Sequence, residues 1–236
     1  GQNILIMQKT KKLAERKYYL NAVREMAWSR NILLNQIKSN AYHRQNRKKQ
    51  NNFPKALPRH LAEQADKAMK DVYILDFLGV AQPVLERELE GRMITCIRDV
   101  LLEFGNGFSF VGSQYQLATP TKDYRVDLLF YQRKLQCLVA VDLKTGQFEP
   151  EFAGKMNFYL NLLDDTVREP HENASIGIIL CAERDTFDVE YALRGITNPV
   201  GVAEYQLTKV LPRKFKGSLP SPTQIKRKLS RKFKRR

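Results

Sequence analysis

Hydrophobic positions near the start of the chain recur at three- and four-residue steps: Leu13, Tyr19, Leu20, Val23, Trp28, Ile32, Leu33 and Ile37. Lys and Arg fill many positions between them. That period places an apolar stripe on helices, so residues 1–70 are expected to be helical. The polar stretch 45–52, then Phe53-Pro54 and Leu57-Pro58, interrupts the pattern. No long Gly/Ser linker follows, so this region is expected to pack against the rest. Beyond it, element types alternate. Leu85, Leu89, Met93, Ile97, Val100 and Phe104 make one further helical stripe, stopped by Gly105 and Gly107. Residues 108–117 read as a strand and Thr119-Pro120 as a turn. Residues 124–131 and 135–143 read as two more strands, joined by a polar turn too short for a crossover. Gly146 is expected to end this run. A helix is predicted over 150–168, with Glu149 and Glu151 near its positive end. The continuous apolar run 174–182 marks a buried strand. A helical piece at 189–193 and a last strand at 200–205 follow.

The order is therefore α-β-β-β-α-β. The third and fourth strands are connected through a helix, so they should be parallel, with a right-handed crossover. The expectation is an α/β protein with a mixed sheet and helices on its faces. No internal repeat is visible.

Charge changes the picture next. Net charge is +15, which calls for a polyanionic partner more than for a small acidic substrate. Residues 212–236 hold eleven Lys or Arg and no acid, so only +4 of that charge lies elsewhere. Such a tail is either a solvated end or an arm that binds phosphates without sequence preference. Arg213, Lys214, Lys216, Lys226, Arg227 and Lys228 are its candidate substrate contacts. Three units are expected: a helical region at 1–75, an α/β domain at 76–211 and a basic tail at 212–236. Cys96, Cys137 and Cys181 are widely spaced and embedded in apolar segments. They read as core residues of a protein kept in a reducing cytoplasm, not as disulfides or a zinc site. No apolar run approaches the roughly 20 residues that span a bilayer, and the N-terminus lacks the layout of a signal peptide. The chain begins Gly-Gln-Asn without Met, as a fragment or a processed chain would.

Two carboxylates stand out because of their neighbours. Asp127 lies in Arg-Val-Asp-Leu-Leu-Phe at 125–130, and Asp142 in Val-Ala-Val-Asp-Leu-Lys at 139–144. An ionised carboxylate among strand-forming apolar residues is costly unless it is paired or bound to a metal. Asp142 and Lys144 share a face, because side chains repeat every two residues. With a turn of two residues (133–134) or four (132–135), Asp127 would lie opposite Ala140, on that same face. A shared cation would then be within diagonal reach. A three-residue turn without a bulge would separate the aspartates. Two carboxylates and a peptide oxygen make a hard-oxygen site for Mg²⁺ or Mn²⁺. The alternative on residue types alone is a buried Asp–Lys ion pair. His43, His60 and His171 show no metal-ligand spacing, Asp164-Asp165 reads as solvated, and Trp28 reads as core.

Asp127, fourteen intervening residues, then Asp-Leu-Lys at 142–144 resembles the PD-(D/E)xK nuclease superfamily. Closer strings are similar to the YhcG-type bacterial nucleases. They include Glu-Arg-Glu-Leu-Glu at 86–90, Phe-Ser-Phe-Val-Gly at 108–112 and Asp-Leu-Leu-Phe-Tyr at 127–131. Further strings are Leu-Lys-Thr-Gly at 143–146, Gly-Lys-Met-Asn-Phe-Tyr-Leu at 154–160 and Ser-Ile-Gly-Ile-Ile-Leu-Cys at 175–181. Glu-Tyr-Ala-Leu-Arg at 190–194 and Pro-Val-Gly-Val at 199–202 complete the set. Trp-Ser-Arg at 28–30 and residues 70–78 look like the end of that family's N-terminal helical region, and the resemblance runs to about Pro222. The resemblance implies that the family's upstream part, expected to bind DNA, is missing here.

The resemblance implies a restriction-endonuclease-like αβββαβ core preceded by a helical region. It implies a bacterial, cytoplasmic, Mg²⁺- or Mn²⁺-dependent nuclease whose partner is DNA, branched or flapped DNA included, with a homo-oligomer or a protein partner also compatible. Asp127 and Asp142 would bind the metal, and Lys144 would act with the attacking water. Glu90, in Glu-x-x-Met-x-x-x-Ile, is similar to the superfamily's helix-borne carboxylate, with Glu86 its competitor one turn earlier. Lys155 and Tyr159 are similar to a Gln-x-x-x-Tyr motif and would face phosphate. Two departures are visible: relatives usually carry Glu where this chain has Asp142, and Gln where it has Lys155. The competing expectations are an inactive nucleic-acid-binding module and a basic subunit of a defence or repair complex.

Overall fold

The computed structural model describes residues 1–26, 28–44 and 49–207. The helical region opens with α1 (Gln2–Lys9), α2 (Leu13–Met26), α3 (Arg30–Lys38) and α4 (Ala41–Arg44). Ser29 caps α3, its hydroxyl accepting the Ile32 N–H. The apolar faces meet in a cluster around Leu5, Ile6, Tyr19, Trp28, Ile32, Leu33 and Ile37. Leu13 and Leu20, expected in the buried stripe, are exposed. The inward face of α2 is set by Tyr19 and Ala22, and Leu20 is turned about 100° from its neighbour Tyr19.

Next come β1 (Gln50–Asn51), α5 (Phe53–Ala56), α6 (Arg59–Ala68) and β2 (Val72–Ile74). β1 lies in the polar stretch 45–52 that interrupts the helical pattern, and β2 at the end of the region 1–75 expected to be helical; at two and three residues they are too short to show alternation. Then follow α7 (Glu86–Thr95), α8 (Ile97–Phe104), β3 (Phe108–Ala118), β4 (Asp123–Gln132) and β5 (Cys137–Gln147). The chain continues with α9 (Pro150–Thr166), β6 (Ile176–Glu183), α10 (Thr186–Leu193) and β7 (Val200–Gln206). The helix-β3-β4-β5-α9-β6 succession is the expected αβββαβ core.

Among the described residues seven strands form one mixed sheet in the order β1-β7-β6-β5-β4-β3, with β2 also on β7. β3, β4 and β5 are antiparallel neighbours, whereas β5, β6 and β7 run parallel. Three local expectations are corrected. The stripe 85–104 is two helices, broken at Cys96: its N–H is shared between the Arg92 and Ile94 carbonyls, and the Thr95 hydroxyl bonds back to Gly91 O. β5 continues through Gly146, with its register against β6 shifting between Lys144 and Gln147. The β4–β5 turn has four residues, 133–136, because the ladder closes at Gln132↔Cys137. Gln132 is held in the strand by its side chain: Oε1 accepts the Lys134 N–H and Nε2 donates to Asn106 O.

Both sheet faces are covered. Leu89, Met93, Val100 and Phe104 pack on Leu128, Phe130, Val139 and Val141. On the other face, Ala153, Met156, Leu160 and Leu163 of α9 pack with Leu129, Leu138 and Ala140. Gly177 lets α9 approach closely, since a Cβ there would fall 2.7 Å from Met156 Sδ. Buried Glu103 ties the helical region to the sheet. One of its oxygens accepts from Gln36 Nε2, Lys70 Nζ and the Ile74 N–H. Trp28 is core, as are Cys137 and Cys181, but Cys96 is only half-buried. Asp164 is not simply solvated: it accepts the Ser175 N–H and pairs with Arg168. Among the described residues no helix is long and apolar enough to cross a membrane.

Candidate active site

The site lies midway along β4 and β5, which carry Asp127 and Asp142, with Lys144 two residues further along β5. The β4–β5 ladder is paired as far as Leu128↔Val141. One step further in that register sets Asp127 opposite Asp142, two positions from the Ala140 partner expected. The parity is unchanged, so both carboxylates and Lys144 share the sheet face that α9 covers. Beyond the last pair, the Leu143 N–H donates to Asp127 Oδ2 at 2.8 Å.

Asp142 is 1% exposed and Lys144 8% exposed. Lys144 Nζ lies 2.9 Å from Asp142 Oδ2, donates to Leu143 O and stands 5.0 Å above the Phe152 ring. It is out of hydrogen-bond alignment with Asp142 Oδ2, so that buried oxygen accepts no hydrogen bond. Lys155 reaches down from α9 and donates to Asp142 Oδ1 at 3.1 Å. Burial lowers the Lys155 pKa, but the Asp142 charge and hydrogen bond outweigh it and the net direction is up. Asp127, half-buried, has its carboxyl pushed up to about 6, first by burial and then by the charge of Asp142.

The α7 carboxylates divide between the two halves of the site. Glu86 Oε2 is 3.8 Å from Lys144 Nζ. Glu90 Oε2 instead accepts from Gln114 Nε2 at 2.8 Å, and the same Nε2 lies 3.3 Å from Asp127 Oδ1. Gln114 is therefore part of the site, although the sequence reading passed over it. Ser113 and Gln116 beside it are polar too, so nothing in the sequence singles Gln114 out; the register shift between Phe110 and Gly112 and the pair skipped at Gln114 show only in the ladder against β4. Tyr159 is buried, its ring 5.2 Å from Lys155 Nζ. Arg213, Lys214, Lys216, Lys226, Arg227 and Lys228 lie outside the described residues.

The donor set fits a hard divalent cation. Asp127 and Asp142 repel each other in a partly dehydrated place, and Asp142 Oδ2 has acceptor capacity to spare. Oxygen-only donors of this kind suit Mg²⁺ or Mn²⁺, which complete their shell with water and phosphate oxygens. Among the described residues no three His, Cys, Asp or Glu side chains stand together as a metal-holding group. Glu90 is joined to Asp127 through Gln114.

Comparison with known proteins agrees with the resemblance. Residues 66–220 match the family described as YhcG PDDEXK nuclease domain. The chain is 41% identical over 140 residues to YhcG of Escherichia coli (strain K12), a match covering 59% of this chain. It spans only 37% of that longer protein. Among solved structures, a repair endonuclease from Pyrococcus abyssi aligns over 56% of this chain and 50% of its own, at 16% identity and a TM-score of 0.36. EndoMS in its apo form aligns over 56% and 49%, at 13% identity and a TM-score of 0.35.

Proposed function

Because this chain belongs to the family of YhcG PDDEXK nuclease domains, we propose that it hydrolyses DNA phosphodiester bonds at a Mg²⁺ or Mn²⁺ ion held by Asp127 and Asp142. The observation that carries the reading is the convergence of Asp127, Asp142 and Lys144 on one sheet face, with Asp142 and Lys144 both buried. The cation would supply polarisation of the scissile phosphate and acidification of a water. The rest falls to the chain. Lys144, fixed between Asp142, Glu86 and Leu143 O, would orient the attacking water and offset charge growing on the phosphate oxygens. Lys155, half-exposed, would take an oxygen of the bound strand. Glu90 would extend the carboxylate set from α7. The tail residues Arg213, Lys214, Lys216, Lys226, Arg227 and Lys228 would engage backbone phosphates, which position DNA without reading its bases. The substrate class is branched or flapped DNA. A panel of linear, flapped and four-way DNA, each with Mg²⁺, Mn²⁺ or EDTA, tests this. Cation-dependent cutting that favours the branched members is expected, and uniform inertness would remove the reading.

One observation favours a second reading. Two ammonium groups, Lys144 and Lys155, already occupy Asp142, and a site so neutralised would bind DNA without cutting it. Tight DNA binding with no cleavage under either metal would select that reading.

A further inference from the structure

Gln114 is the residue at this site to which the sequence assigned no role. Its backbone is left-handed, with φ +46, a region that non-glycine residues rarely enter. The β3–β4 ladder runs Ser113↔Leu128, then Tyr115↔Val126. Gln114 thus sits across from Asp127, at the pair where the ladder is interrupted. Its side chain places one Nε2 within 2.8 Å of Glu90 Oε2 and 3.3 Å of Asp127 Oδ1. Both partners are carboxylates, which accept and do not donate when ionised, so the amide must turn its NH₂ group toward them. Each of its two hydrogens serves one carboxylate. A strained backbone that persists beside reactive groups is a sign that the side chain it aims is used.

We propose that Gln114 is a positioning residue for the cation site, its amide tying the helix-borne Glu90 to the strand-borne Asp127 so that both carboxylates address one divalent cation. The inference rests on the proposed nuclease reading, because it presupposes that these carboxylates take up a metal. α7 and β4 belong to different layers, and without the tie the Glu90 side chain is free to turn into solvent. Glycine adopts positive φ without cost, so Gln114→Gly removes the amide while easing the backbone.

The test is Mn²⁺ binding to the full chain by titration calorimetry, without DNA, alongside thermal melting. Gln114→Gly and Gln114→Leu should each weaken Mn²⁺ about 10-fold or more, the usual loss when a group that orients metal ligands is removed. Glu90→Gln should weaken it similarly. The Gln114→Gly/Glu90→Gln double variant should be no worse than either single one, because one interaction is being removed twice. The glycine variant should melt no lower than the parent, which separates positioning from a scaffolding role. Parental Mn²⁺ affinity in Gln114→Gly, or losses that add in the double variant, would overturn the proposal while leaving the nuclease reading in place. A parent that takes up no Mn²⁺ would remove both.

Discussion

Lys155 reaches from α9 to 3.1 Å from Asp142 Oδ1, pairing a half-exposed ammonium with a buried carboxylate. A cation entering the site has to share Asp142 with that ammonium. The pair is half in solvent, so its worth is about 0.5–1 kcal/mol. Lys155→Gln is therefore expected to lower the Mn²⁺ concentration for half-saturation by a factor of about 2–5. It should also raise KM for DNA, through loss of a phosphate contact. Calorimetry and steady-state cleavage read the two effects separately; weaker Mn²⁺ binding in the variant would show that Lys155 supports the metal instead of competing with it.

Asp127 ties stability to pH. Its carboxyl is raised from 3.8 to about 6 by burial and then by Asp142. The folded protein therefore keeps this proton to higher pH than the unfolded chain, and stability falls as pH rises from about 4 to about 6. Asp127→Asn removes the penalty and can still accept the Leu143 N–H. Without added metal, the variant should be more stable than the parent at pH 7.5 by about 1–2 kcal/mol, a value discounted for partial exposure. The advantage should vanish near pH 4. Melting curves at the two pH values check it, and an advantage independent of pH would place its origin elsewhere.

The tail makes a salt-dependence claim. Each phosphate neutralised on duplex DNA adds about −0.9 to the slope of log affinity against log salt. The eleven basic residues of 212–236 cannot all face one duplex at once. With roughly five engaged, deleting residues 214–236 should reduce the slope magnitude by about 4–5. Unrelated sequences should weaken alike, and the cleavage rate at saturating DNA and low salt should hardly change. An unaltered slope would return DNA contact to the helical region and the sheet face.

Much of the core was legible in the sequence because its elements are long and strongly patterned. The alternating runs that became β3 and β4, the apolar run of β6 and the helix α9 carry their period over many residues. The parity argument placed Asp127, Asp142 and Lys144 on one face, although the partner was Asp142 and not Ala140. That two-residue error arose at Leu135 and Gln136, which read as the start of β5 but belong to the turn, Gln136 with a left-handed φ of +48. β1 and β2 were illegible because two or three residues show no alternation, and only pairing with β7 makes them strands. Lys155 read as a phosphate contact because Lys155 and Tyr159 resemble a Gln-x-x-x-Tyr motif. Its hold on Asp142 depends on how closely α9 sits on the sheet, which Gly177 decides. Gln114 was invisible for a related reason: its contacts reach Glu90, 24 residues away, across a strand kinked out of register.

The central claim is that Asp127, Asp142 and Lys144 together cut DNA, and cleavage by Lys144→Ala beside the parent tests it most directly. Both proteins are assayed with Mg²⁺ or Mn²⁺ on the best substrate of the panel, and DNA binding is measured in EDTA. The account predicts a cleavage loss of about 100-fold or more, as for removal of one group that stabilises the transition state, with DNA affinity within about twofold because the phosphate contacts remain. A purified, folded Lys144→Ala that cuts DNA as fast as the parent would contradict it.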